Sequence, residues 1–430
     1  MRLTGTTPDA RMPDLSLQGW LSRLESQHPV EIELGLDRVA AVARVMGLLD
    51  APPPTFTVAG TNGKGSVVAV LSAALQDAGL RVGSYTSPHL IRFNERICVD
   101  GAEADDQALI GAFVAIEGAR GAISLSYFEV ATLAALWLFQ QRSVDVQVLE
   151  VGLGGRLDAV NILDADVSVI TSIGLDHTDW LGNDRSQIAI EKAGVARPGK
   201  PCIVADIDPP DSLLADLHQR AVDTRLIGRD WRIEEGRLYT ASGATYRMPD
   251  IDGLLPENIG AALQALEAGQ RVELNQAAIE KLSGVRVPGR LSRRDVGPVE
   301  VLLDVAHNVE SVSRLIQFMG SHPVSGRTFA VFGVMGDKPI RDMLAACSGA
   351  FDEWNLIDLS DVPRAMAVAD LASLLYPESV VGDHGPFSDI WDSIKMRSRA
   401  GDRVVVFGSF FSVGEALSVL EAEYLSGERG

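Results

Sequence analysis

The chain has 430 residues, 46% of them hydrophobic, which suits two or three domains with sizeable cores. Its formal net charge of −20 argues against a nucleic-acid binder and against docking to an anionic membrane surface. Three widely spaced cysteines, Cys98, Cys202 and Cys347, fit neither a zinc nor a disulfide framework and point to a reducing compartment.

The first fifteen residues carry Arg2, Asp9, Arg11 and Asp14 and no apolar signal core. One helical segment is expected over 14–49, and "TFTVAG" (55–60) reads as the first strand. Val67, Val70, Leu71, Ala74 and Leu75 then recur at helical spacing, with Gly79 closing the helix. "RVGSYTS" (81–87) is a second strand, and "VATLAALWLF" (130–139) is a buried helix too short to span a bilayer. "VDVQVLEVG" (144–152), "ADVSVITSIG" (165–174) and "KPCIVAD" (200–206) continue the alternation of strand and helix. "IAIEKAG" (188–194) and "LLPENIGAALQAL" (254–266) read as helices. A stretch rich in Pro, Gly and Arg, "VRVPGRLSRRDVGP" (285–298), reads as a junction. Beyond it the strand grammar restarts in "VEVLLDVAHN" (299–308), "RTFAVFGVMG" (327–336), "EWNLIDLS" (353–360) and "DRVVVFGSF" (402–410). The fold class expected is α/β with mostly parallel sheets in two domains, residues 1–290 and 291–430, the second smaller and Rossmann-like. Ligands should sit beyond the carboxyl ends of the strands, in a cleft between the domains. A cytoplasmic protein is expected, with no membrane and no nucleic-acid partner.

"AGTNGKGS" (59–66) joins a strand to a helix but breaks the usual phosphate-loop spacing, because Gly65 separates Lys64 from Ser66. Its glycines would let backbone approach a phosphate, Lys64 would supply charge and Ser66 could reach a magnesium ion. A tight turn that needs glycines is the plain alternative. Glu150 ends an apolar strand, where a carboxylate is costly unless it reaches the open end or a cation. Asp176, His177 and Asp179 fall at the same edge, and His177 reads equally as a structural imidazole or a metal ligand. Glu191 and Lys192 read locally as a solvated pair. Asp304, His307 and Asn308 end a strand of the second half, with Asn308 able to cap the next helix unaided. Arg290 stands in the junction, solvated or able to lend a cation to a transferring phosphate. Asn258 lies in the first turn of its helix.

Taken together and in order, "AGTNGKGS", "TSPHL", "FNERI", "YFEVATLAAL", "LEVGLGGRLDAVN", "TSIGLDHTDWLG", "EKAG", "PGR", "DVAHN" and "GSF" resemble the folylpolyglutamate synthases. The likeness is nearest to the bacterial bifunctional kind that also makes dihydrofolate, with the Mur ligases as broader kin. It runs from "WLSRLE" (20–25) to "GSFFSVGEAL" (408–417). The resemblance implies ATP-dependent phosphorylation of a substrate carboxylate. The amine of glutamate then attacks the acyl phosphate, and a tetrahedral intermediate collapses to amide and phosphate. It implies dihydropteroate, reduced folates and L-glutamate as substrates, a monomer, and two magnesium ions, one replaceable by potassium or manganese.

Residue by residue, the resemblance implies that Thr61, Asn62, Gly63, Lys64, Gly65 and Ser66 form the ATP phosphate loop. Ser87, Glu150 and His177 match metal ligands, together with Ser66. Lys192 matches a lysine that is carbamylated, against its bland local reading. Asn258, Arg290 and Asp304 match ATP positions, with His307 and Asn308 in the same motif. Lys192, His177 and Arg290 are the expected catalytic set. Glu33, Leu34 and Gly35, then Ser126, Tyr127, Phe128 and Glu129, then Leu157, Asp158 and Ala159 match pterin-contacting segments. In these Phe128 is a stacking ring and Asp158 a polar anchor. Two departures stand out: Val309 replaces a proline common in relatives, and Glu33 stands where a close pattern has Asp. An enzyme confined to polyglutamylation, a Mur-type ligase and a non-catalytic nucleotide switch are the alternatives.

Overall fold

The computed structural model describes residues 15–28, 33–377 and 379–427. The Arg2–Asp14 stretch of the sequence reading lies outside them. The expected single helix over 14–49 is two helices, Leu17–Gln27 and Asp37–Val45. The first ends at His28, extended at φ −105° and ψ 136°, as the residue before a proline should be.

Strands β1 (Thr55–Ala59), β2 (Val82–Tyr85), β3 (Ile97–Val99), β4 (Ala102–Glu103), β5 (Val146–Glu150), β6 (Val167–Ile170), β7 (Pro201–Val204) and β8 (Asp223–Leu226) form one sheet in the order β4-β3-β2-β5-β1-β6-β7-β8. Its six central and outer strands pair in parallel, and only β3 and β4 run antiparallel at one edge. Strands β9 (Arg232–Glu234), β10 (Arg237–Tyr239) and β11 (Thr245–Arg247) make a small antiparallel sheet. Strands β12 (Ser292–Val296), β13 (Val299–Leu303), β14 (Thr328–Phe332), β15 (Glu353–Ile357), β16 (Val381–Gly385) and β17 (Arg403–Phe407) form a second large sheet, ordered β12-β13-β17-β14-β15-β16. All its pairs are parallel except β12 with β13. The stretch 285–298, expected as a plain junction, therefore contributes an edge strand.

The helices cover both faces, as parallel sheets require. Along β5, Val146 and Val148 join a core with the Lys64–Asp77 and Pro256–Gly269 helices, while Leu149 points to the opposite core. That second core packs Trp20, Phe113 and the helix Tyr127–Gln141, which contains the expected buried stretch. Among the described residues no helix is long and apolar enough to cross a membrane.

Candidate active site

Strands β1, β2, β5 and β6 of the first sheet, and β13 and β17 of the second, deliver loops from their carboxyl ends to one cleft. Thr61, Asn62, Lys64, Ser87, Glu150, His177, Lys192, Arg290 and His307, scattered over the sequence, all line it.

The loop after β1 is shaped by its glycines. Gly63 has φ +89°, and a Cβ there would lie 2.4 Å from the Asn258 amide. This brings Asn258 against the loop. Lys64, Gly65 and Ser66 form the first turn of the following helix, whose free N–H groups favour anions. The Lys64 ammonium donates to the Gly60 and Thr61 carbonyls at 3.1 and 3.3 Å. Burial holds its pKa below the ordinary value, with Glu150 opposing.

Glu150, at the end of β5, is buried and accepts from the Ser87 N–H at 3.2 Å. Burial pushes its carboxyl up, against the pull of Lys64. His177 has φ +52° and stands just before the short helix Thr178–Leu181, its ring making no capping bond. Ser66, Ser87, Glu150 and His177 offer two hydroxyls, one carboxylate and one imidazole. Among the described residues no cluster of three or more His, Cys, Asp and Glu side chains surrounds a point. A donor set this sparse and oxygen-rich fits magnesium, which keeps waters and phosphate oxygens in its shell.

Lys192 overturns the solvated-pair reading. It is 3% exposed, while its neighbour Glu191 turns away to Arg156 at 2.7 Å. Lys192 has no ion-pair partner among the described residues, and its amine is pushed down to about 7, chiefly by burial and further by Lys64. An amine that deprotonates near neutral pH offers a substantial neutral, nucleophilic fraction there.

The second sheet closes the cleft. Asp304 is buried and accepts from the Leu291 and Ala306 N–H groups, both at 2.8 Å. The Arg290 guanidinium lies 5.5 Å over the Phe410 ring. Asn308 caps the helix Val309–Ser321 and also donates to Asn62 Oδ1 at 3.0 Å, while Asn62 donates to Glu310 at 3.1 Å. Asp176 meets Lys338 at 2.6 Å and lies 3.4 Å from His307.

The three pterin-matching segments converge beside the cleft. Gly35 N–H donates to the Leu157 carbonyl at 3.3 Å, and Arg38 joins Glu33 to Glu129. Ser126 and Glu129 form a reciprocal cap on the helix beginning at Tyr127. The Phe128 ring packs against Tyr85 and occupies space that a Cβ at Gly152 would need, 2.6 Å away. Asp158 caps the turn beginning at Ala159 and accepts from Leu153 N–H at 2.9 Å. Burial raises its pKa to about 6. Glu33 is exposed and spends both oxygens on His28 and Arg38.

Residues 289–410 match the Mur ligase, glutamate ligase domain family. The dihydrofolate synthase/folylpolyglutamate synthase of Escherichia coli K12 is 40% identical over 98% of this chain and 99% of that protein. The structure of E. coli FolC in complex with DHPP and ADP superposes with a TM-score of 0.90 at 40% identity, covering 96% of this chain and 99% of that one. A bifunctional folylpolyglutamate synthase/dihydrofolate synthase with Mn, AMPPNP and L-glutamate bound superposes at 0.87 and 38% identity, covering 95% and 98%. The chain belongs to the dihydrofolate synthase/folylpolyglutamate synthase family.

Within that family fold, sequence reasoning missed two cleft features. Lys338 carried no local signal, since "GDKP" reads as an ordinary turn. Phe410 was visible only as part of "GSF". A signal for Lys192 was present: Ile188, Ala189, Lys192 and Ala193 are the buried stripe of the helix Arg185–Ala193, so the lysine sits on its apolar face.

Proposed function

We propose that this chain is an ATP-dependent ligase that joins L-glutamate to 7,8-dihydropteroate, giving dihydrofolate, and extends reduced folates through their γ-carboxyl group. The observation that carries the reading is the convergence on one cleft of a glycine-rich loop, a sparse oxygen-rich donor set, a buried lysine of lowered pKa, Arg290 from the junction and His307 from the second sheet. Relatives solved with DHPP and ADP, and with Mn, AMPPNP and L-glutamate, support it.

In this reading Thr61–Ser66 hold the ATP phosphates through backbone N–H groups and Lys64. Asn258, Asp304, His307 and Asn308 fix the rest of the nucleotide. Ser66, Ser87, Glu150 and His177 would hold divalent ions. These supply charge neutralisation when a carboxylate oxygen attacks the γ-phosphorus and ADP leaves. We assign two ions, one exchangeable for potassium or manganese. The neutral form of the Lys192 amine attacks carbon dioxide and loses a proton, turning a buried amine into a carbamate whose oxygens would face the same ions. Arg290 points its charge at the phosphoryl group in flight. Phe128 stacks on the pterin and Asp158 anchors its polar edge, with Glu33–Gly35 and Leu157–Ala159 alongside. The glutamate amine then displaces phosphate from the acyl phosphate.

We divide the chain at residues 290 and 291, just before β12, a reading supported by the family match that begins at 289. We assign a monomer working in the cytoplasm. The deciding assay is phosphate release from ATP with dihydropteroate, then with tetrahydrofolate, each with and without glutamate. Release that requires both the pteroate or folate and glutamate is expected. Equal release without either would overturn the ligase reading.

A further inference from the structure

Lys338 lies in the loop between β14 and the helix Ile340–Ala346, 162 positions from Asp176 in sequence. Its ammonium donates to Asp176 Oδ1 at 2.6 Å, and the two side chains are 8% and 9% exposed. The same Oδ1 accepts the backbone N–H of His177 at 2.9 Å. His177 is thus held at φ +52°, a conformation that costs a non-glycine residue energy and persists only when its surroundings fix it. Asp176 Oδ2 lies 3.4 Å from His307 Nε2. The His177 Nε2 also lies 3.9 Å from Asp176 Oδ2, so one carboxylate gathers two groups from the second sheet and both the backbone and the ring of a residue on the first.

A buried ion pair is a weak stabiliser, because desolvating both charges offsets most of their attraction. Its better-attested use is to fix one arrangement among several. Here the partners come from different sheets, so the pair forms only when the cleft is assembled.

We propose that Lys338 is a positioning residue: by clamping Asp176 it locks the His177 backbone and so aims the imidazole at the divalent ion only in the assembled cleft. This rests on the reading of His177 as a metal ligand. Outer partners that orient a ligand typically affect metal affinity about 10–100-fold.

The test is Mn²⁺ binding in the presence of ADP, followed by electron paramagnetic resonance, with amide exchange of the 174–182 segment as a second readout. Lys338→Met should weaken Mn²⁺ by about 10–100-fold and speed exchange at His177 while sparing the amides of β5. Asp176→Asn should do the same. Adding Lys338→Met to Asp176→Asn should change little further, because the two act in series. Lys338→Arg should recover most of the affinity. If Lys338→Met does not fold, Lys338→Gln alone and combined with Asp176→Asn carry the same test, with the same weakening expected alone and little further change in the double variant. Unchanged Mn²⁺ affinity in Lys338→Met, or effects that multiply in the double variant, would overturn the proposal. His177→Ala separates the two readings. If it binds Mn²⁺ like the parent, the metal-ligand assignment falls and the proposal with it; if it is weakened while Lys338→Met is not, the proposal alone falls.

Discussion

Replacing Lys192 with methionine should move stability and activity in opposite directions. The amine drops from an ordinary 10.5 to about 7, chiefly through burial. Below about pH 7 the fold must hold a buried cation. Between about 7 and 10.5 the unfolded chain binds a proton at Lys192 that the folded chain does not, so stability rises with pH across that window. The slope is at most about 1.4 kcal/mol per pH unit, and the whole difference has a ceiling of roughly 5 kcal/mol. Methionine fills a similar volume and titrates nothing, so Lys192→Met lacks this term. In buffer stripped of carbon dioxide, urea midpoints at about pH 7, 8 and 9 should find the variant more stable at the lowest pH, with the gap closing as pH rises. Bicarbonate at about pH 8 should then stabilise the parent alone, because carbamate forms only on the folded chain's amine. Ligase turnover should be crippled in Lys192→Met. In Lys192→Ala, small carboxylic acids should restore part of it by standing in for the carbamate. Parallel pH curves for parent and variant would refute the buried-amine argument, and normal turnover would remove the carbamate from the chemistry.

Three further outcomes follow from the geometry. Gly63→Ala adds a Cβ at φ +89° that meets the Asn258 amide at 2.4 Å; a loss of about 1–2 kcal/mol in stability and a raised KM for ATP are expected in urea melts and steady-state kinetics. Asn62→Ala removes contacts to Asn308 and Glu310, so amide exchange at the start of the Val309–Ser321 helix should quicken by an amount matching about 1 kcal/mol. Arg290→Met should lower kcat by about 10²–10³-fold while changing KM for ATP far less, because its charge matters most to the phosphoryl group in transit; equal changes in both would assign it to ground-state binding.

The parallel architecture was readable because buried parallel strands are continuous apolar runs. "TFTVAG" and "DRVVVFGSF" give β1 and β17 with ends off by only a few residues. Strand β12 was hidden because "SRRDV" pairs on one side only, at a sheet edge, and needs no apolar face. The small sheet of β9, β10 and β11 was hidden for a similar reason: its strands are only three residues long and each carries an Arg. At the site, the phosphate loop and the strand-end carboxylate Glu150 have local signatures. The resemblance supplied the roles of Ser87 and Lys192. Lys338 had neither, since its meaning depends on Asp176, 162 positions away. Contacts made only when two sheets meet leave no period in either segment.

A protein with a formal charge of −20 that must gather anions has to place its cations with care. Lys64, Lys192 and Arg290 line the cleft, and each lowers the proton affinity or adds to the field of another. Asp158, Asp176 and Glu150 balance them only in part, and Asp176 is already engaged by Lys338. Buried like charges without full partners cost energy, and an anion placed among them lowers that cost. In the proposed reading a triphosphate would do so at Lys64, and a carbamate would do so by placing a negative charge on Lys192. The net charge that argues against nucleic acid thus fits, at the site, a compact polyanion held by a few buried cations rather than by a basic surface.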